Sequence, residues 1–122
     1  MATFTQPKDL GDLLLVEVSP GWTRSKATLL AGTDYPLGQV LAKIAGKYQQ
    51  LDPAGTGAAK KAAAVLAEPI DATAGDQPGI VIARGAVLAL DQLTWPPGIT
   101  EPQKTTALDE LNTLGIVARA TL

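Results

Sequence analysis

Carboxylates supply most of the side chains that could do chemistry, because the chain contains no cysteine and no histidine. Zinc–thiolate sites, thiol catalysis and the commonest general base near neutral pH are therefore missing. Asp71 and Asp76 are five residues apart in a turn-rich stretch, but a calcium loop needs more oxygen ligands at denser spacing. We interpret both as turn residues that hydrogen-bond nearby backbone amides. We predict no catalytic residue, no metal site and no cofactor.

Other charged pairs do not change this prediction. Asp109-Glu110 falls on the outer face of a predicted helix and is interpreted as solvated. Lys60-Lys61 is read as a solvated turn, and the ten basic residues are otherwise scattered in a chain of net charge −2. Nucleic-acid binders usually cluster Lys and Arg on one face, so no nucleic-acid partner is predicted. The glycines at 55 and 57 are too few for a phosphate loop.

The size and composition indicate one folded domain. The chain has 122 residues, of which 46% are hydrophobic and 4% aromatic, so its core must use small and aliphatic side chains. No apolar run approaches the ~20 residues that a membrane span needs. The N-terminus has no early basic cluster and is not read as a signal peptide. We expect a protein made in the cytoplasm, with no membrane partner.

Residues 1–26 differ from the rest, because polar, Pro- and Gly-bearing pieces surround one apolar run, LLLVEV at 13–18. The following SPGW predicts a turn. A β-prone run near a terminus has two interpretations that the residues leave open. It is either a strand of the domain's own sheet or an arm that pairs with a partner's sheet edge.

The middle of the chain is predicted to be extended. ATLLAG and GQVLAKI are short strands around a turn-rich connector, and the second run places Val40, Ala42 and Ile44 on one face. Residues 58–68 are ambiguous, since Ala and Lys favour a helix by propensity whereas Val65, Ala67 and Pro69 alternate as in a strand. IVIARGAVLAL predicts a buried strand or strand pair, interrupted at Arg84-Gly85.

The C-terminal part carries the clearest local signals. Trp95-Pro96-Pro97-Gly98 predicts a rigid turn, because each proline fixes its own φ. Thr100 is a predicted N-cap with Gln103 as its capping-box partner. A helix follows, with Gly115 after its end and IVARA as a final strand. Its apolar stripe at helical spacing is Ala107, Leu108, Leu111 and Leu114.

The order and spacing of these pieces resemble one known family, the tailed-bacteriophage head decoration proteins. The resemblance covers roughly residues 19–119. It rests on DPAGTG, IDATAGD, RGAV and a W-P-x-G-I-T segment followed by a helix and LGIV-R, in that order. No single piece is specific, and the match lies in their arrangement.

The resemblance implies a mainly β, β-clip-like small barrel or sandwich, with one short C-terminal helix packed on it and an extended N-terminal arm. On this basis Ala62 to Ala67 are read as strand, because tertiary context overrides a weak helix propensity. It also implies that residues 1–26 form a capsid-binding arm and linker, and that residues 27–122 form the decoration-protein domain. The family binds the outer surface of the expanded phage head as trimers at local three-fold positions and stabilises it against packaged DNA.

The partners implied are the major capsid protein and two further copies of this chain. The expected location is the virion's outer surface, with the host cytoplasm before assembly. We expect the arm to contact the capsid through an apolar set: Leu13, Leu14, Leu15, Val16, Val18 and Trp22. We expect the trimer contact to use Trp95, Pro96, Pro97 and Arg84, because rigid apolar turns make good interface anchors.

Two other classes remain as alternatives. The first is a surface-displayed module of the same fold that binds the host or a glycan, for which Trp22 and Trp95 are the aromatic candidates. The second is an enzyme, since β-clip relatives include nucleotide hydrolases. Asp71 and Asp76 would be its candidate catalytic residues.

Overall fold

The strands dominate the computed structural model, which describes residues 10–120. The described part contains ten strands: β1 Leu14–Glu17, β2 Arg24–Leu29, β3 Asp34–Tyr35, β4 Val40–Ile44, β5 Lys47–Gln50, β6 Ala64–Leu66, β7 Ile70–Asp71, β8 Gln77–Ile82, β9 Ala86–Ala89 and β10 Ile116–Arg119. The helices are α1 Leu10–Leu13, α2 Pro20–Thr23 and α3 Glu101–Thr113, with 3-10 turns at Gly57–Lys60 and Leu90–Gln92. The predicted mainly β fold with one C-terminal helix is confirmed.

Five strands form a ring in the order β2-β5-β4-β6-β8, and β8 pairs back with β2 to close it into a small barrel. The β2–β8 pairing is the longest, running antiparallel from Arg24 opposite Ile82 to Leu29 opposite Gln77. A separate sheet has the order β1-β9-β10, and β3 pairs with β7. In the sheet of three, β1 is antiparallel to β9 and β10 is parallel to it.

Two neighbouring barrel strands, β4 and β6, carry buried side chains on both faces. Val40 and Ala42 of β4 pack in one hydrophobic cluster, while Leu41 between them packs in the other. Alternate side chains of a strand point to opposite faces, so a core lies on each side of β4. Val65 of β6 likewise faces the first cluster, and its neighbours Ala64 and Leu66 face the second.

This double burial explains why β6 is a strand although its surroundings are rich in alanine. All three of its residues are fully buried between β4 and β8. Pairing with two neighbours satisfies the backbone and leaves room only for small or aliphatic side chains. The helical propensity nearby is expressed only in the 3-10 turn at Gly57–Lys60. The strand predicted for residues 62–67 is confirmed at Ala64–Leu66, and it does not extend over the whole predicted range.

Helix α3 covers one end of the first cluster. Thr100 accepts a hydrogen bond from the Gln103 backbone, and the Gln103 side chain accepts one from Thr100 N–H, so the predicted capping box is formed. Ala107 and Leu111 are buried. Leu114 departs from the predicted stripe because it lies just after the helix and is 39% exposed. No helix within residues 10–120 is long and apolar enough to cross a membrane.

Candidate functional site

Strand β1 is an edge strand with an apolar outer surface. Within the described residues it pairs with β9 alone, so its other backbone edge is unpaired. The relative exposures of Leu15, Val16 and Val18 are 41%, 54% and 68%. An unpaired edge flanked by exposed apolar side chains is a template for strand addition by another chain.

The middle of the predicted arm, at Leu13 and Leu14, is anchored in the chain's own core. Leu13 is completely buried, and Leu14 is half-buried against the same cluster. Residues 1–9 of the predicted arm lie outside the described residues. Of the two interpretations of the run 13–18, the first is observed, since β1 belongs to the chain's own sheet. The unpaired edge of β1 leaves open the second interpretation, in which this run pairs with a partner's sheet edge. The boundary at residue 26 between the arm and the domain stays a prediction.

Two contacts that the sequence analysis missed hold β1 and the following turn in place. Glu17 binds Arg24 through two hydrogen bonds of 2.6 and 3.1 Å, and the first of them raises the pKa of the Arg24 guanidinium above its ordinary value. Thr23 is completely buried, and its hydroxyl donates to the Gly85 carbonyl at 3.0 Å. The spacing of Glu17 and Arg24 in a turn could have suggested the first contact, but nothing local signals the second.

Trp22 and Arg84 are brought together over Gly85. Gly85 has φ +59°, and an added Cβ would lie 2.1 Å from Cζ3 of the Trp22 ring, so only glycine fits here. The Arg84 guanidinium carbon lies 5.9 Å from the centre of the Trp22 ring, and Arg84 also donates to the Trp22 carbonyl. The Trp22 ring nevertheless remains 51% exposed. The predicted arm residue Trp22 is thus held by the predicted trimer residue Arg84.

The other predicted trimer residues lie away from Arg84, with Trp95 lining one hollow and Pro96 and Pro97 lining another. Trp95 is half-buried against the core, with Lys104 Nζ 6.0 Å from its ring centre. Pro96 is buried and Pro97 is exposed on the turn that ends at Gly98, whose φ is +77°. Arg84 lines hollows near β2 and β5 instead. The turn at 95–98 therefore offers an exposed proline supported by a packed tryptophan.

The carboxylates of the turns have structural partners. Asp71 accepts from both the backbone N–H and the hydroxyl of Thr73, and these bonds lower the pKa of its carboxyl. Asp76 accepts from Ala31 N–H at 2.8 Å and from Lys47 Nζ at 2.6 Å. Among residues 10–120, no three acidic side chains gather as metal ligands. Asp71 binds a nearby backbone amide, as the turn interpretation predicted, whereas the backbone amide that Asp76 binds lies 45 residues away.

The pair Asp109-Glu110 was only partly interpreted correctly. Asp109 is exposed, but Glu110 is half-buried, and its Oε1 accepts from the Ala62 backbone N–H at 3.0 Å. Glu110 thereby ties α3 to the segment that leads into β6, which leaves it less solvated than expected.

Comparison with known proteins gives one match over most of the chain. The family model described as Bacteriophage lambda head decoration protein D matches residues 3–116. The match includes β1, the Trp22 turn, the barrel and α3. No curated protein matches the chain.

Proposed function

Because this chain belongs to the bacteriophage lambda head decoration protein D family, we propose that it binds the outside of the expanded head as a trimer at local three-fold positions. Its family makes it a structural protein of the phage capsid. In the proposed role it cements neighbouring major capsid subunits and so stabilises the shell against the pressure of packaged DNA.

The free edge of β1 is the observation that carries the proposal. A capsid segment that adds to this edge would gain backbone hydrogen bonds of ~0.5–1.5 kcal/mol net each. Covering Leu15, Val16 and Val18, which are 41–68% exposed, adds burial of apolar surface at ~25 cal/mol per Å². β1 is already ordered by β9 and by the Glu17–Arg24 pair. The ordering cost of ~1–2 kcal/mol per residue therefore does not arise again for this strand on binding.

A trimer strengthens such a contact without any new chemistry. One short strand addition is a weak interaction, but three on one rigid particle bind together. Linked sites of this kind exceed single-site affinity by ~10²–10⁴-fold when the geometry lets all of them engage. Local three-fold positions on a shell present three equivalent neighbours and meet that condition.

Introducing negative charge on the β1 surface tests this proposal. We expect Val16→Glu/Val18→Glu to remain folded, because both side chains are more than half exposed. It should lose most binding to expanded empty heads in co-sedimentation, since buried unpaired carboxylates are costly. Val117→Glu is the matched control on β10, the opposite edge of the same sheet, where Val117 is 40% exposed.

The control should bind like the wild type. Equal binding by the double variant would contradict the proposal that β1 contacts the capsid. Point variants are preferable to deletion of residues 1–18, because that deletion also removes the fully buried Leu13 from the core.

A further inference from the structure

Two adjoining hollows form one groove on the barrel wall beside Trp22. Their volumes are ≈680 and ≈480 Å³, and they share Lys43, Tyr48 and Arg84 in their linings. Trp22 stands at one end of the groove and Pro78 at the other. The larger hollow has the size of an ordinary ligand cleft.

Cations without ionic partners concentrate in this groove. Lys26, Lys43, Lys61 and Arg84 line it, and none of the four forms an ion pair with a carboxylate within residues 10–120. Outside it, Arg24, Lys47 and Lys104 are paired whereas Lys60 and Arg119 are not, so four of the six unpaired cations within residues 10–120 line the groove. The chain as a whole carries a net charge of −2, so a locally positive groove is a departure from its average surface. Such a patch favours an acidic partner and raises its rate of encounter.

The remaining carboxylate in the lining does not cancel this charge in full. Glu110 lines the larger hollow, but its Oε1 is already occupied by the Ala62 backbone N–H at 3.0 Å. One acidic group therefore faces four basic ones.

The same groove offers apolar and aromatic surface. Lys43 Nζ lies 5.5 Å from the centre of the Tyr48 ring, as Arg84 lies over Trp22. Ala62, Ala63 and Ala83 contribute small side chains between the two rings. A bare phosphate or a nucleic-acid backbone gains little from contact with these aromatic and apolar side chains. A polypeptide with carboxylates and apolar side chains matches both features.

The groove is continuous with the β1 surface. The Val18 backbone N–H donates to the Gly85 carbonyl at 3.1 Å, and the Trp22 ring covers Gly85. Val18 is 68% exposed, so the apolar edge of β1 runs directly into the groove at Trp22. A partner segment that leaves the β1 edge there enters the positive groove next.

From this arrangement we propose that the groove binds an acidic, partly apolar segment of the major capsid protein, adjacent to the segment that β1 contacts. The inference rests on the proposed function, since it names the chemistry of the same partner. The carboxylates of that segment pair with Lys43, Lys61 and Arg84, and its apolar side chains cover Trp22 and the alanines.

Neighbouring lysines provide a sharp test. Lys61 lines the larger hollow of the groove whereas Lys60, also exposed, does not. We expect Lys43→Glu/Lys61→Glu to bind expanded empty heads about 10-fold more weakly than wild type and with a smaller salt dependence. The control Lys60→Glu/Arg119→Glu makes the same change in net charge with two exposed residues outside the groove. It should bind within about 2-fold of wild type.

The outcomes separate the inference from the proposed function. Failure of the wild type to bind heads contradicts the proposed function itself. If the wild type binds heads and the Lys43→Glu/Lys61→Glu variant binds them with the same affinity, only the groove inference is overturned. Loss of the trimer in that variant, measured by analytical ultracentrifugation, would also overturn it, because the occupant would then be a second copy of this chain.

Discussion

At the scale of single residues, side chains with local partners could be predicted from the sequence and those with distant partners could not. Asp71 bonds Thr73 two residues away, as a turn aspartate is expected to. The partners of Asp76 are Ala31 and Lys47, which lie 45 and 29 residues away. Its turn position could therefore be predicted, whereas its role in joining three segments that are distant in sequence could not.

Asp76 should make stability depend on acid pH. The hydrogen bond from Lys47, and then that from Ala31 N–H, lower the pKa of its carboxyl below the ordinary 3.8. A carboxyl whose pKa is depressed in the folded state stabilises it above the unfolded pKa, and that stability is lost as pH falls through the folded value.

We expect Asp76→Asn to have a lower free energy of unfolding than wild type at pH 7, with the difference shrinking as the pH falls below about 4. Urea unfolding across that range measures it. Asp109→Asn, which removes an exposed carboxylate on α3 that does not contact Lys47 or Ala31, is the control for the loss of one negative charge. If the difference in free energy of unfolding between Asp76→Asn and the wild type stays constant with pH, the stabilising role of the Asp76 carboxylate is contradicted.

At the scale of elements, capping chemistry could be predicted because it is local. The α3 start at Thr100, its capping box and the left-handed Gly115 after its end, with φ +78°, are all confirmed. The pairing of β1 with β9 could not be read, because the partners Val16 and Val87 are far apart in sequence. β6 needed the family resemblance, since its propensity pointed elsewhere and only burial on both faces decides it.

Removing the α3 cap should lower stability by a measurable amount. We expect Thr100→Ala to reduce the free energy of unfolding by about 1 kcal/mol, because it leaves the Gln103 backbone N–H without its side-chain acceptor. Thr106→Ala, within the same helix and exposed, should stay within about 0.5 kcal/mol of wild type. Chemical denaturation of both variants checks this. Equal losses in the free energy of unfolding for the two variants would show that the capping hydrogen bond does not stabilise the protein.

At the scale of the whole molecule, the fold class could be predicted, but the surfaces could not. The groove illustrates why, since Trp22, Lys43, Lys61 and Arg84 come from four separate stretches of chain. Only closure of the barrel brings them to one wall. The predicted trimer set likewise divides between two places, with Arg84 beside Trp22 and the exposed Pro97 on the turn after Trp95.

The predicted trimer contact can be tested at the turn of residues 95–98. We expect the wild type to have the mass of three chains in light scattering. Pro97→Glu should dissociate it, because an unpaired carboxylate in an interface core is costly. Pro69→Glu, at another exposed proline, after β6, is the control and should remain trimeric. A trimer that survives Pro97→Glu would remove this turn from the contact.

The most direct measurement is electron cryomicroscopy of the full chain mixed with expanded empty heads of its phage. We expect density at the local three-fold positions, with a strand of the major capsid protein paired along the free edge of β1 at Leu14–Glu17. Bare heads, or a protein attached through β10 with the β1 edge facing solvent, would contradict this expectation.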